Sequence, residues 1–104
     1  MPEFTILSND EIGSELRGLP GWKVSDGKLC CDFVFKDFLT ALAFINLVGA
    51  EAEAMQHHPE IFNVYNRVRI SFVTHDAGNQ ITDLDVKMAR LAALSAGKLT
   101  SPAK

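Results

Sequence analysis

The sequence predicts an α+β domain of two layers: a four-stranded antiparallel sheet with three helices on one face, in the order helix, strand, strand, helix, strand, strand, helix. Three observations carry the prediction. Asp26-Gly27 sits between two strand-like runs, a strong two-residue hairpin signal. Residues 37–56 read as one long helix, and a second aromatic and β-branched run, "IFNVYNRVRISFVTH", follows it. A helix-plus-hairpin unit therefore occurs twice, without a residue-level repeat, and a last helix closes the chain.

The first helix is read in "LSNDEIGSELRG", where Ser8 and Glu11 form a capping-box pattern and Gly18 and Pro20 end it. In the strand after Asp26-Gly27, Leu29, Cys31, Phe33 and Phe35 alternate onto one face. Asp37 is the expected N-cap of the long helix. Phe38, Leu42, Ile45, Leu47, Val48, Ala52 and Met55 are apolar there, and Ala41 and Phe44 fill other directions. A helix apolar on most of its circumference is buried on more than one side. One small sheet covers one side, so a subunit contact is expected to cover the rest, as a homodimer or homotetramer. The second hairpin is expected to turn at Asn66-Arg67, with Tyr65 packing on the sheet as a strand aromatic. "DAGNQ" is a loop. In "TDLDVKMARLAALSAGK", Thr82 caps the last helix, Asp85 stands at its third position and Gly97 stops it.

The 104 residues are read as a single domain, 1–104, of which 98–104 is a frayed tail. Hydrophobic residues at 47% and charged residues at 22% fit an ordinary soluble globular chain. A net charge of −3 without a Lys/Arg cluster argues against direct nucleic-acid binding. The first residues lack the basic start of a signal peptide, and Asn46 and acids interrupt the longest apolar run. A cytoplasmic protein without a membrane segment is expected. Cys30 and Cys31 are adjacent, point to opposite faces of a strand, and are read as reduced packing residues.

All three histidines gather around the second hairpin. Glu53 and His57 are four residues apart and are expected to share a helix face, as an ordinary ion pair would. Pro59 forces His58 into an extended conformation, so the two rings should diverge. His75 follows the fourth strand and returns to the same corner. Asp85, in the first turn of the last helix, has two available roles. As a helix-end acid it would stabilise by about 0.3–1 kcal/mol. As a partner of a histidine it would hold that ring in one tautomer. Taken singly, each residue has a structural explanation. Three histidines, two carboxylates and a loop at one end of a sheet point instead to acid–base chemistry. A zinc site on His57, His58 and His75 with Glu53 is disfavoured, because adjacent histidines converge poorly on one ion and no HExxH helix is present.

The ordered set Glu53-x3-His57-His58-Pro59-Glu60, Phe62-Asn63-Val64-Tyr65-Asn66, Thr74-His75, Gly78 and Thr82-x-x-Asp85 resembles the pterin-4a-carbinolamine dehydratase family. "GW" at 21–22, "FVFKDF" at 33–38 and "ALAF" at 41–44 extend the resemblance upstream. The loop between His75 and Asp85 is one residue longer than in common members, and the position of Cys31 is commonly basic there. The resemblance implies dehydration of 4a-hydroxytetrahydropterin to quinonoid dihydropterin, a carbon–oxygen lyase reaction in tetrahydrobiopterin recycling. It implies His57 and His75 as the acid/base pair and His58 chiefly as a binding residue, with Glu53 and Asp85 in support. Gln56, Thr74 and Asp76, flanking the histidines, would be pterin contacts. No metal or other cofactor is required, because the reaction involves no redox change. The alternative implied by the family is a dimerisation cofactor or binding module for a transcription regulator or hydroxylase.

Overall fold

The computed structural model of the chain describes residues 2–100, with Thr100 described by its backbone only. The elements are α1 (Asn9–Leu16), β1 (Trp22–Ser25), β2 (Lys28–Val34), α2 (Phe38–Met55), β3 (Glu60–Val64), β4 (Arg67–Phe72), a short 3-10 turn (His75–Ala77) and α3 (Asp83–Thr100). The four strands form one antiparallel sheet in the order β1-β2-β4-β3. This is the α+β fold that the sequence predicts. The two hairpins meet at their second strands, which places β2 and β4 at the centre and one end of β4 beside the end of α2.

Local chemistry sets each start and turn. Ser8 and Glu11 close a reciprocal capping box at α1. Asp26 and Gly27 both take positive φ, 55° and 75°, so the first hairpin turns where its sequence allows the left-handed backbone. Asp37 caps α2 by accepting from the Thr40 amide at 2.8 Å. The second hairpin departs from expectation by one residue. Val64 pairs with Arg67, so Tyr65 and Asn66 make the turn and Tyr65 takes φ 52°. The Asn63 amide fixes this turn by donating to the Tyr65 and Arg67 carbonyls, and Asn66 donates to the Phe35 carbonyl. Tyr65 is accordingly exposed and does not pack on the sheet. The last helix also departs: it runs through Gly97 to Thr100. Residues 101–104 of the expected tail lie outside the described residues.

One face of the sheet carries the core. Leu29, Cys31, Val68, Ile70 and Phe72 pack against Phe44 and Val48 of α2 and Met88, Ala89 and Ala92 of α3. Ile12 and Leu16 of α1 join the same core at its margin. Truncating a side chain such as the fully buried Phe44 would cost about 3–5 kcal/mol. α2 is long and apolar enough, by length and composition alone, to cross a membrane. Here it lies along the sheet and buries only the stripe Ala41, Phe44, Val48 and Ala52. Phe38, Leu39 and Leu47 stay exposed, Leu39 at 75%. Cys30 and Cys31 point to opposite faces, as alternation requires. Both are free and buried. Burial, then the neighbouring Asp32 charge, pushes the Cys31 thiol up to about 11, so this sulfur stays protonated and unreactive at neutral pH.

Candidate active site

The site is built by the way α2 ends. Gln56 takes a left-handed backbone, φ 52° and ψ 42°. The His57 amide then donates back to the Ala52 carbonyl at 3.0 Å, the six-residue closure of a Schellman turn. That reversal takes His57 off the helix and turns its ring inward, nearly parallel to Phe72 at 6.3 Å between centroids. The expected Glu53–His57 pairing on one helix face is therefore not formed, because His57 lies past the helix end. Glu53 instead meets His58, with Oε1 2.8 Å from Nε2. The two rings diverge, as Pro59 dictates.

His57 is 4% exposed, and its Nε2 lies 2.5 Å from Oδ1 of Asp85, which is fully buried. The longer loop does not carry this carboxylate away. Its Oδ2 accepts from the Thr74 hydroxyl at 2.9 Å and from the Thr82 amide at 2.8 Å. The Leu84 amide donates to Thr82 Oγ1, which lies 2.7 Å from Thr74 Oγ1. Thr74 spends its single proton on Asp85, so Thr82 donates to Thr74. Protons thus run one way along this chain, toward the carboxylate. Among the described residues, no buried side-chain nitrogen or oxygen lacks a partner. Asp85 acts only as an acceptor, which leaves the His57 proton on Nε2 and makes Nδ1 the ring's other, uncommitted nitrogen.

His75 opens the 3-10 turn after β4, and its Nδ1 lies 2.7 Å from Asn79 Oδ1. A cleft of about 390 Å³ lies between these segments. His57, His58 and His75 line it together with Gln56, Pro59, Glu60, Val73 and Asp76. Of the residues expected here, Gln56 and Asp76 border the cleft, although the Gln56 amide folds back onto the Glu53 carbonyl. Thr74 does not reach the cleft; it is buried behind His57 and committed to Asp85. Glu53 and Asp85 do not line it either; each holds a ring that does. Sequence reasoning missed Asn79, whose only signal is an amide residue in a loop that needs positive φ, and it read Thr82 solely as a cap.

A larger hollow, about 570 Å³, lies on the open face of the sheet among Asp32, Val34, Phe62, Arg67 and Arg69. Arg69 holds Asp32 through two nitrogens and keeps its carboxyl below the usual range. That hollow lacks a histidine. The smaller cleft, with three imidazoles at its rim, is where proton transfer can be organised. Among the described residues, no group of three or more His, Cys, Asp or Glu is arranged to hold a metal ion.

Comparison with known proteins agrees with the motif pattern. The model of the family "Pterin 4 alpha carbinolamine dehydratase" matches residues 5–93. A Solibacter usitatus protein provisionally named pterin-4-alpha-carbinolamine dehydratase is 50% identical over 94 residues, covering 89% of this chain and 98% of that one. A Synechococcus protein with the same provisional name is 54% identical over 86 residues, 83% of this chain and 91% of its own. Among solved structures, a Brucella melitensis protein described as a transcriptional coactivator/pterin dehydratase superposes with a TM-score of 0.84 at 43% identity. That match covers 89% of this chain and all of the other. The chain belongs to the pterin-4a-carbinolamine dehydratase family.

Proposed function

We propose that this protein dehydrates a 4a-hydroxytetrahydropterin to the quinonoid dihydropterin, by acid–base catalysis from the histidine cleft. The observation that supports it most is the cleft itself: three imidazoles on one rim, one of them buried against a carboxylate, in a member of this family. The substrate's hydroxyl sits on the carbon next to a ring nitrogen. An acid gives its proton to the hydroxyl oxygen, the C–O bond breaks and water leaves. A base takes the proton from the adjacent nitrogen, whose electron pair closes the C=N bond. Nothing is oxidised or reduced. Imidazole serves either role near neutrality, and each well-placed group contributes about 10²–10⁴-fold.

In this reading His57 and His75 are the acid/base pair. Asp85 holds His57 and supplies the counter-charge for the imidazolium form of that ring. His58, held by Glu53, binds and orients the pterin, and Gln56 and Asp76 complete the contacts. Thr74 serves through Asp85. The test is a direct assay with synthetic 4a-hydroxytetrahydropterin. Turnover above the spontaneous rate that survives exhaustive chelation supports the reading. Loss with EDTA and recovery with zinc overturns it.

The exposed apolar side of α2 supports self-association as a homodimer or homotetramer in the cytoplasm. Sedimentation of a monomer at micromolar concentration would refute this. The same surface favours a second reading, a binding module for a regulatory protein, because the Brucella neighbour is described as a coactivator. A pull-down with His57→Ala separates the two: a binding module keeps its partner when the site is disabled.

A further inference from the structure

Asn79 lies in the loop after β4, four residues beyond His75, at φ 61°. Asparagine tolerates that backbone better than most residues. Its Oδ1 is 2.7 Å from His75 Nδ1. An amide oxygen can only accept, so Nδ1 must carry the ring proton. Free histidine prefers the opposite tautomer, with the proton on Nε2. We propose that Asn79 is a positioning residue: it holds neutral His75 as the Nδ1–H tautomer and thereby presents Nε2, unprotonated, as the base of the dehydration. The base role rests on the dehydratase reading above; the tautomer does not.

The loop is built to keep this amide in place. The Asn79 amide donates to the Thr74 carbonyl at 3.1 Å, and the Thr74 amide donates to the Gln80 carbonyl at 3.1 Å. The Gln80 side chain closes the turn from inside by donating to the Ala77 carbonyl. Thr74 is itself anchored through its hydroxyl to Asp85. One buried threonine therefore fixes both second partners, the carboxylate of His57 and the amide of His75. The consequence is a division of nitrogens. His57 is held by Nε2 and leaves Nδ1; His75 is held by Nδ1 and leaves Nε2. The partners differ in kind as well. A carboxylate can balance an imidazolium, whereas a neutral amide offers no counter-charge, which suits the ring that begins the reaction unprotonated. Other charged groups do not claim His75. Glu60 is paired with Lys28, His58 with Glu53, and among the described residues no hydrogen bond links Asp76 to this ring.

Nitrogen NMR of histidine-labelled protein, at a pH where the ring is neutral, reads the tautomer directly. Wild-type His75 should show the proton on Nδ1. Asn79→Gly removes the amide while accepting the positive φ without strain. It should return His75 mainly to the Nε2–H form and lower kcat about threefold to tenfold with KM little changed. Asn79→Asp keeps an acceptor and should restore the Nδ1–H form. Wild-type His75 in the Nε2–H form, or an unchanged tautomer in Asn79→Gly, overturns the proposal. A wild-type protein with the Nδ1–H ring but no dehydratase turnover overturns the base role and the dehydratase reading together, while leaving the clamp standing.

Discussion

His57–Asp85 and His58–Glu53 are the same chemistry placed in two environments. Adjacent histidines each bring Nε2 to a carboxylate oxygen, at 2.5 and 2.8 Å. In the first pair the side chains are 4% and 0% exposed; in the second, 58% and 74%. The exposed pair competes with water and with side-chain entropy, and such pairs stabilise by about 0–1 kcal/mol. The buried pair has given up hydration on both sides. It is tolerable only because Thr74 and Thr82 supply the carboxylate's other hydrogen bonds. Removing one member of such a pair costs about 3–5 kcal/mol, since the other is left buried and unpaired. Distance alone does not rank these contacts. Burial and the completeness of the surrounding network do.

The contrast can be broken at several points. The largest effect is expected at Asp85. Asp85→Ala should lower unfolding free energy by about 3–5 kcal/mol in a denaturant titration. Asp85→Asn preserves volume but replaces an acceptor oxygen with a donor, and should cut kcat on the order of 10²-fold by misorienting His57. Full stability and full turnover in both variants would show that the two pairs are equivalent after all. His75→Ala, with the fold retained, and His57→Ala, at a stability cost like that of losing Asp85, should each lower kcat by more than about 10²-fold. Near-normal rates in both would make the histidine cluster structural. Thr74→Val keeps the shape and deletes the hydroxyl that feeds Asp85, at an expected cost of about 1–3 kcal/mol. An unchanged melting temperature there would mean that the network carries no weight. On the exposed side, Glu53→Gln should move stability by less than about 0.5 kcal/mol. His58→Ala should raise KM at least as much as it lowers kcat, which steady-state kinetics reads directly.

The sequence makes one side of this contrast legible and hides the other. Ser8 with Glu11, Asp26-Gly27 and Asp37 announce their turns and caps because the signal is local, a side chain bonding its own neighbours. The clustering of the histidines follows from the order of elements, so it too is readable. The inward turn of His57 is not. It depends on a left-handed residue that is Gln56 where glycine is the usual marker, so helix periodicity ran on and paired His57 with Glu53. The Thr82 amide reaches Asp85 from three residues back, a local contact, but the burial of that carboxylate against His57 and Thr74 joins the end of α2 and the segment after β4 to the head of α3, a tertiary event with no local pattern. The apolar circumference of α2 showed that part of it stays uncovered. It did not show which stripe, since Ala41 and Phe44 turned out to face the sheet and Leu47 the outside.

Asp37 supplies the smallest effect and a control for the comparison. It is a half-buried carboxylate, unlike the exposed Glu53, and its partners are fixed: Oδ1 accepts from the Thr40 hydroxyl at 2.6 Å and from the Thr40 amide at 2.8 Å. The hydroxyl bond first, and the amide bond second, hold its carboxyl below the ordinary value of 3.8. A carboxyl that ionises more easily folded than unfolded contributes stability above its unfolded pKa, and that contribution is lost as pH falls through the lower folded value. Asp37→Asn keeps a capping oxygen but cannot change charge. The wild type should therefore melt slightly above the variant at neutral pH. The gap should close as pH falls below 3.8 and through the lower folded value, because protonation leaves a cap with no charge to contribute. Every other carboxylate is common to both proteins, so their contributions cancel in the difference. A gap that stays constant across this range would mean that the cap acts through shape alone. It would also leave this cap without any gain from its charge.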